Sequence, residues 1–288
     1  MATCLVTGST GFIGTATTRQ LAGAGWNVHT LNRRLNAPAT ATSIVEHTYD
    51  GTYEGVVAAL QACQPDVVIH LATHYVSTHA PRDLEPLINA NIRFGTQVLE
   101  AMSATGCHRM VTAGTAWQHH GVQDDTYQPA NLYAATKQAF EDIARWYCDA
   151  HGIAVTSLHL GDTYGPNDSR PKIFALLEAS SRTGEPLELT AGEQQLDPLF
   201  VDDAVDAIEI ASQRSPEGFE VFNVAPGNPI HLRDLVALWC NINHVRPDLR
   251  WGARPYRERE VMTPWRGGKR LPGWRARVTL AEGFRRCN

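Results

Sequence analysis

The tightest constraint on this chain is its first fourteen residues. Cys4-Leu5-Val6-Thr7 is a short apolar run and reads as a buried strand. It breaks into Gly8-Ser9-Thr10-Gly11-Phe12-Ile13-Gly14 and then into a helical pattern reaching Leu21. Glycine at 8 permits a sharp turn out of the strand. Glycine at 11 lets the backbone approach a pyrophosphate, and glycine at 14 lets the helix pack on the sheet. The helix N-terminus then offers its unpaired N–H groups to the phosphates. Three glycines alone would also suit an ordinary turn. The strand before them and the helix after them favour a dinucleotide-binding unit.

The pattern continues in the same key. Residues 26–31, 44–49, 67–73, 109–114 and 154–160 read as further strands. Helical stretches at 56–63, 87–105 and 131–150 alternate with them. Strand–helix alternation of this kind predicts an α/β fold with a doubly wound parallel sheet, the Rossmann arrangement. The uninterrupted apolar run at 67–71 fits a strand buried on both faces. From Gly161 the texture changes: a turn at 164–168, a helix from Lys172, a short strand at 187–189, a helix at 200–212, a strand at 219–224 and a helix at 232–240. The remaining residues are rich in Arg, Trp and Pro. This reading assigns 1–160 and 199–229 to the dinucleotide-binding core. It assigns 161–198 and 230–288 to a smaller C-terminal lobe that takes the substrate.

Composition narrows the partners. A net charge of −5 over 288 residues is too mild to imply nucleic acid or a membrane surface. No apolar run approaches the length of a membrane span, and no secretory signal precedes the first strand, so a cytoplasmic protein is expected. The cysteines Cys4, Cys63, Cys107, Cys148, Cys240 and Cys287 are scattered, with no CxxC and no close Cys/His cluster. They read as reduced packing thiols, and no metal site is expected. His74, His79, His119 and His120 show no ligand spacing, although His74 sits where a substrate would pass.

The second strand ends at Asn32-Arg33-Arg34. An acid at this place would accept hydrogen bonds from the ribose hydroxyls of NAD, whereas a basic residue accommodates a ribose phosphate. No acid stands here, so NADP is expected over NAD. Asp50 either meets the adenine edge or caps the next helix. Tyr133 and Lys137 are four apart on one helical face, and Thr115 closes the fifth strand. A tyrosine made acidic by a neighbouring lysine, with a hydroxyl to hold the reacting oxygen, suits carbonyl reduction.

Six motifs occur in order: TGSTGFIG at 7–14, HLAT at 70–73, NIRFGTQVLEA at 91–101, YAATK at 133–137, YGP at 164–166 and FVDDAV at 200–205. The chain resembles the extended short-chain dehydrogenases/reductases of the NAD-dependent epimerase/dehydratase family, which act on nucleotide sugars. Within that family it is most similar to nucleotide-sugar 4-ketoreductases such as the CDP-abequose and CDP-paratose synthases, on HLATHY and GEQQLDPLFVDD. The resemblance implies a catalytic set of Thr115, Tyr133 and Lys137. It implies a pyrophosphate loop of Gly8, Thr10, Gly11, Phe12, Ile13 and Gly14. Leu71, Ala72, Thr73 and Leu160 would flank the cofactor, and Asn91 would order the site. His74, Thr115 and Asp162 would face the substrate. Arg257, three before Glu260, has the spacing of the arginine that binds the substrate diphosphate.

Three departures stand out. Leu196-Asp197 replaces a common Arg-Asp, Asp162 replaces an Asn, and Ala116-Trp117-Gln118-His119-His120 replaces the usual VYG. A 4,6-dehydratase needs an acidic pair directly after the catalytic hydroxyl, and Ala116-Trp117 stands there. A 4-epimerase that recycles NAD would favour an acid at the end of the second strand. A cofactor-binding sensor would have no need of both Tyr133 and Lys137. The expected activity is therefore NADPH-dependent reduction of a nucleotide-diphosphate-linked 4-keto sugar, deoxy or dideoxy. The helices at 87–105 and 131–150 would pair into a homodimer, as in relatives.

Overall fold

The computed structural model describes residues 1–33 and 44–287; Arg34 lies outside them. In the first half the elements are β1 (Thr3–Thr7), α1 (Phe12–Gly23), β2 (Asn27–Asn32), β3 (Ile44–Thr48), α2 (Tyr53–Cys63), β4 (Val67–His70), α3 (Leu84–Ile88), α4 (Phe94–Thr105), β5 (Arg109–Thr115), α5 (Leu132–His151) and β6 (Ala154–Leu160). In the second half they are β7 (Thr163–Tyr164), α6 (Ile173–Thr183), β8 (Leu187–Leu189), β9 (Gln195–Leu196), β10 (Leu199–Phe200), α7 (Val201–Gln213), β11 (Phe219–Val224), β12 (Ile230–His231), α8 (Leu232–Asn243), β13 (Leu249–Trp251) and α9 (Leu280–Arg286). Seven strands form one parallel sheet in the order β11-β6-β5-β4-β1-β2-β3. This is the doubly wound sheet predicted from the sequence.

Strand alternation decides which helix meets which residue. Leu5 and Leu31 face one way and pack with Val56 and Leu60 of α2, Val98 of α4 and Phe140 of α5. Cys4, Val6 and Val28 face the other way and pack with Leu21 of α1 and Ala204 and Ile208 of α7. A third cluster, around Tyr164, Phe200, Leu235, Trp239 and Phe284, joins the segments expected to form the C-terminal lobe to the start of α7. That lobe does not stay apart from the sheet. Leu271 is buried in the α1/α7 layer, and Trp274 Nε1 donates to Asp203 O at 2.8 Å. The Asp203 carboxylate accepts from Arg277 N at 2.9 Å and Val278 N at 3.0 Å, so the FVDDAV motif pins the C-terminal segment.

The stretch predicted as one helix at 87–105 begins earlier and is not uniform. α3 and α4 are joined by a π-helical turn, Asn89–Arg93, with no break in the chain's path. Single π turns insert one extra residue and gather at functional positions; here the turn carries Asn91. Among the described residues no helix is long and apolar enough to cross a membrane.

Candidate active site

β1 delivers the glycine loop to the carboxyl edge of the sheet. Gly8 has φ +71, and a Cβ there would lie 2.5 Å from Ala72 N, so both the turn and the close approach to the β4 exit require glycine. The N-cap of α1 is Gly11, with no side chain capping it and no acid in the first turn. A Cβ at Gly11 would meet only Gly8 O, at 3.3 Å, which leaves its outer side open. Uncapped N–H groups facing open space suit a pyrophosphate. Thr10 is exposed in this loop, Phe12 and Ile13 are partly buried behind it, and Leu160 is buried at the end of β6.

At the end of β2, Asn32 is buried and its Oδ1 accepts from Ser9 Oγ at 2.8 Å. It therefore holds the glycine loop, a task an acid would perform with added charge. Arg33 is exposed beside it. Asp50 accepts from Thr52 N at 2.9 Å and Thr52 Oγ1 at 2.6 Å, and Thr52 caps α2. Asp50 thus braces Thr52, and Thr52 rather than Asp50 is the cap, accepting from Gly55 N at 3.0 Å.

The β4 exit, Leu71-Ala72-Thr73-His74, is tied down by Asn91. Its Oδ1 accepts from Thr73 Oγ1 at 2.9 Å and from His74 N at 2.7 Å. Its Nδ2 donates to His74 O at 3.1 Å and Thr136 Oγ1 at 2.9 Å. One amide thus joins the loop to α5, where Asn131 caps the start by accepting from Ala134 N at 2.9 Å. Tyr133 and Lys137 follow on that helix, both buried. Burial pushes the Tyr133 phenol up to about 12, while the Thr73 hydroxyl and the Arg170 guanidinium pull it the other way. Burial brings the Lys137 ammonium down to about 8, against the opposing charge of Glu141 one turn on.

Thr115 ends β5, and its hydroxyl accepts from Trp117 N at 3.3 Å. The Thr115 N–H donates to Gln118 Oε1 at 3.0 Å, and Gln118 Nε2 donates to Glu141 Oε2 at 3.1 Å. Glu141 is 2 % exposed. Its Oε1 also accepts from Ser157 Oγ at 2.6 Å and faces His159 Nε2 at 2.8 Å. Burial alone would raise this carboxyl. The His159 ring and the hydrogen bonds from Ser157 and Gln118 outweigh it and hold the pKa below the usual range. The chain of contacts runs on through His119, 3.2 Å from His159 Nδ1, to Trp265, whose ring stacks on His119 at 3.9 Å.

A cavity of about 1060 Å³ lies between this region and the lobe. Ala116, Trp117, Asp162, Lys172 and Arg257 line it. The sequence reading put His74 and Thr115 against the substrate; neither side chain is on the wall of this cavity. The His74 ring is turned to Asp83, 3.8 Å from Oδ1, and does not line the cavity. Its neighbour Tyr75 does, with its ring edge-on to Tyr133 at 5.2 Å and 5.8 Å from Trp117. Arg257 is on the wall, bound through Nε and Nη2 to Glu260 at 2.9 and 2.6 Å. Asp162 pairs with Lys172 Nζ at 3.5 Å.

Sequence reasoning missed Tyr75, Arg170, Lys172 and the Glu141–His159 pair. Arg170 lies over the Phe12 ring at 4.4 Å and binds Asp168. The signal for Glu141 was present, since it shares the helical face of Lys137. The basic Arg170-Pro171-Lys172 after the YGP turn was also visible.

Known proteins agree with this architecture. The chain is 26% identical over 263 residues to CDP-abequose synthase of Yersinia pseudotuberculosis, covering 90% of each. It is 28% identical over 272 residues to dTDP-glucose 4,6-dehydratase of Xanthomonas campestris, covering 83% of this chain and 76% of that one. The structure of MoeE5 in complex with UDP-glucuronic acid and NAD superposes with a TM-score of 0.86 at 27% identity, over 99% of this chain and 97% of the other. Residues 4–225 match the NAD dependent epimerase/dehydratase family as a whole. With that match spanning the glycine loop, the α5 tyrosine and lysine and the sheet that carries them, the chain belongs to the NAD-dependent epimerase/dehydratase family and has the extended short-chain dehydrogenase/reductase fold.

Proposed function

We propose that this protein is an NADPH-dependent ketoreductase acting on a nucleotide-diphosphate-linked 4-keto sugar, deoxy or dideoxy. One observation carries the reading: Thr115, Tyr133 and Lys137 are each buried just behind the wall of a large cavity, whose lining residues Tyr75 and Ala116 adjoin Tyr133 and Thr115, and the turn after Thr115 offers Ala116 and Trp117 but no acid. A dehydratase would need carboxyl groups there to eliminate water. Bound NADPH would supply the hydride. The Thr115 hydroxyl holds the substrate carbonyl oxygen, on which negative charge develops. Tyr133 gives that oxygen its proton, and its raised pKa keeps it protonated at neutral pH, the state a reduction must start from. The Lys137 ammonium stabilises the phenolate that forms. Arg257 and Lys172 face the diphosphate, the lysine standing in for the arginine absent at Leu196.

Two boundary assignments belong to this reading. Residues 1–160 and 199–229 form the cofactor core, and 161–198 and 230–288 supply the substrate lobe, apart from the segment around Leu271 that returns to the sheet. The homodimer contact would use the helical stretches at 87–105 and 131–150, where Ile88 and Trp146 are exposed.

The test is a panel of nucleotide 4-keto sugars incubated with NADPH, following loss of its absorbance. Oxidation on at least one sugar is expected, and NADH is expected to serve less well. No oxidation on any would sink the proposal. The 25% identity to UDP-glucuronate 4-epimerase 4 of Arabidopsis thaliana, over 82% of this chain and 62% of that one, supports a second reading, a 4-epimerase. That enzyme would interconvert two sugars with no net change in cofactor.

A further inference from the structure

The cysteines and histidines are scattered along the chain without ligand spacing, yet the fold gathers three of them. His29 is the third residue of β2, His47 the fourth of β3 and Cys63 the last of α2. β2 and β3 pair with His29 opposite Val45 and Leu31 opposite His47. All four side chains therefore stand on one face of the sheet. It is the face covered by α2, since Leu31 packs with Val56, Leu60 and Cys63. One donor atom from each of His29, His47 and Cys63 lies within 4.8 Å of the other two.

The two rings stack, with centroids 5.2 Å apart and planes at 19°. His29 Nδ1 is 2.9 Å from His47 Nε2. Two imidazolium ions could not meet nitrogen to nitrogen at that distance, because both would present hydrogens. At least one ring is therefore neutral and accepts from the other. His29 and Cys63 are both 8 % exposed. His47 is partly exposed on β3, the edge strand, next to Val45 at 46 %. The cluster is thus dry on its inner side and reachable from solvent at the sheet edge.

We propose that His29, His47 and Cys63 form a binding site for a borderline-soft divalent cation of the zinc class, separate from the active site. Two imidazole nitrogens and one thiolate are donors that zinc and cobalt prefer, with a fourth position left for water. Metal–ligand bonds of about 2.0–2.3 Å place tetrahedral donors about 3.3–3.7 Å apart. The three donors reach that spacing by small side-chain rotations. The cation takes the place of the hydrogen between the rings with two metal–nitrogen bonds, and that hydrogen moves to the outer nitrogen of the ring that carried it. The cation also displaces the Cys63 thiol proton to water, and nothing is oxidised or reduced. Cys63 ends α2, so the cation sits at the negative end of that helix dipole. Gln64 closes the helix in the left-handed conformation, its N–H donating to Leu60 O at 2.8 Å, which fixes the backbone that carries the thiol. A bound ion would bridge β2, β3 and α2 and stiffen the sheet edge. The glycine loop is met elsewhere, at the far end of β2 through Asn32.

Cobalt is the direct probe. Chelator-treated full-length protein is titrated with Co²⁺ and followed by visible and near-ultraviolet absorbance. One ion per chain is expected, with tetrahedral ligand-field bands and a thiolate-to-cobalt charge-transfer band, both removed by Zn²⁺. Cys63→Ser should abolish the charge-transfer band. His47→Ala, at a partly exposed position, should keep the fold by circular dichroism and weaken binding at least tenfold. Zn²⁺ should raise the melting temperature of the wild type and not of His47→Ala. A charge-transfer band that survives in Cys63→Ser and vanishes in Cys287→Ser would assign the metal to the exposed terminal thiol and overturn the proposal. So would a wild type showing no such band. None of these readouts uses turnover, so the outcome is independent of the proposed ketoreductase activity.

Discussion

Helix α5 is held from two sides by polar clusters of opposite character. Toward β4, the Asn91 amide joins Thr73, His74 and Thr136. Toward β5 and β6, the Glu141 carboxylate joins Gln118, Ser157 and His159, and Gln118 reaches Thr115. The first is neutral. An amide carries two donors and an acceptor, so it can fix a loop without changing the charge of the site. The second is ionised and sits one turn from Lys137, so it acts at once as a strut and as a counter-charge. The contrast teaches why both occur: Asn91 sets where Tyr133 and the loop lie, and Glu141 sets where Thr115 lies and how readily Lys137 stays protonated.

The largest expected effect falls on the residue both clusters serve. Tyr133→Phe removes the proton donor and leaves the ring against Tyr75. Turnover on a confirmed keto sugar should fall roughly 10²–10⁴-fold with NADPH binding retained. Near-normal turnover would mean that Tyr133 is only a packing residue and that neither cluster serves chemistry.

Next comes the stability of the two clusters. Glu141→Ala leaves His159, Ser157 and Gln118 without their buried acceptor and should cost about 3–5 kcal/mol in denaturant unfolding. Asn91→Ala should cost less, about 1–3 kcal/mol, because the groups it abandons are neutral and nearer the surface loop. Equal losses would erase the distinction between charged and neutral struts. Stability against acid sharpens it further. The Glu141 pKa is lowered in the fold, so its contribution is present above the ordinary value of 4.5 and is lost as the pH falls below it. Wild type should therefore lose more stability between pH 5 and 3 than Glu141→Gln, while Asn91→Ala should track the wild type.

A smaller effect concerns the alkaline side. Burial brings the Lys137 ammonium down to about 8, and Glu141 is what opposes that downward pull. With Glu141→Gln the lysine pKa drops, and the high-pH limb of kcat/KM should move to lower pH. Asn91→Ala should lower kcat and leave that limb in place. If both variants move the limb alike, Glu141 acts through geometry only. The smallest effect is at the cofactor's far end. Arg33 is exposed, so Arg33→Ala should weaken NADPH binding by a factor of ten or less, about 1.4 kcal/mol at most, and leave NADH unchanged.

Much of this was legible in the residues. The strand–glycine–helix opening, the alternation behind it and the YxxxK spacing are local patterns, and local patterns report on local backbone. They placed the sheet, the loop and the α5 pair. The π turn at Asn89–Arg93 was not legible, because an extra residue in a helix is accommodated by what the helix packs against. That Tyr75 lines the cavity was hidden for a related reason. Neighbouring side chains on an irregular loop point different ways, and the Asn91 bonds that orient this loop come from seventeen residues away.

Sequence by itself determined that this chain would build a parallel sheet with a dinucleotide loop at its edge, since glycine geometry, apolar runs and helical spacing leave few other folds. Tertiary structure alone decided what meets across the elements. It set the Glu141–His159 pair beside Lys137, put Trp265 against His119, and drew His29, His47 and Cys63 within reach of a single ion. Those partners are separated by sixteen residues or more along the chain. Their meeting depends on strand order and register, which the whole hydrophobic core selects and no short motif records.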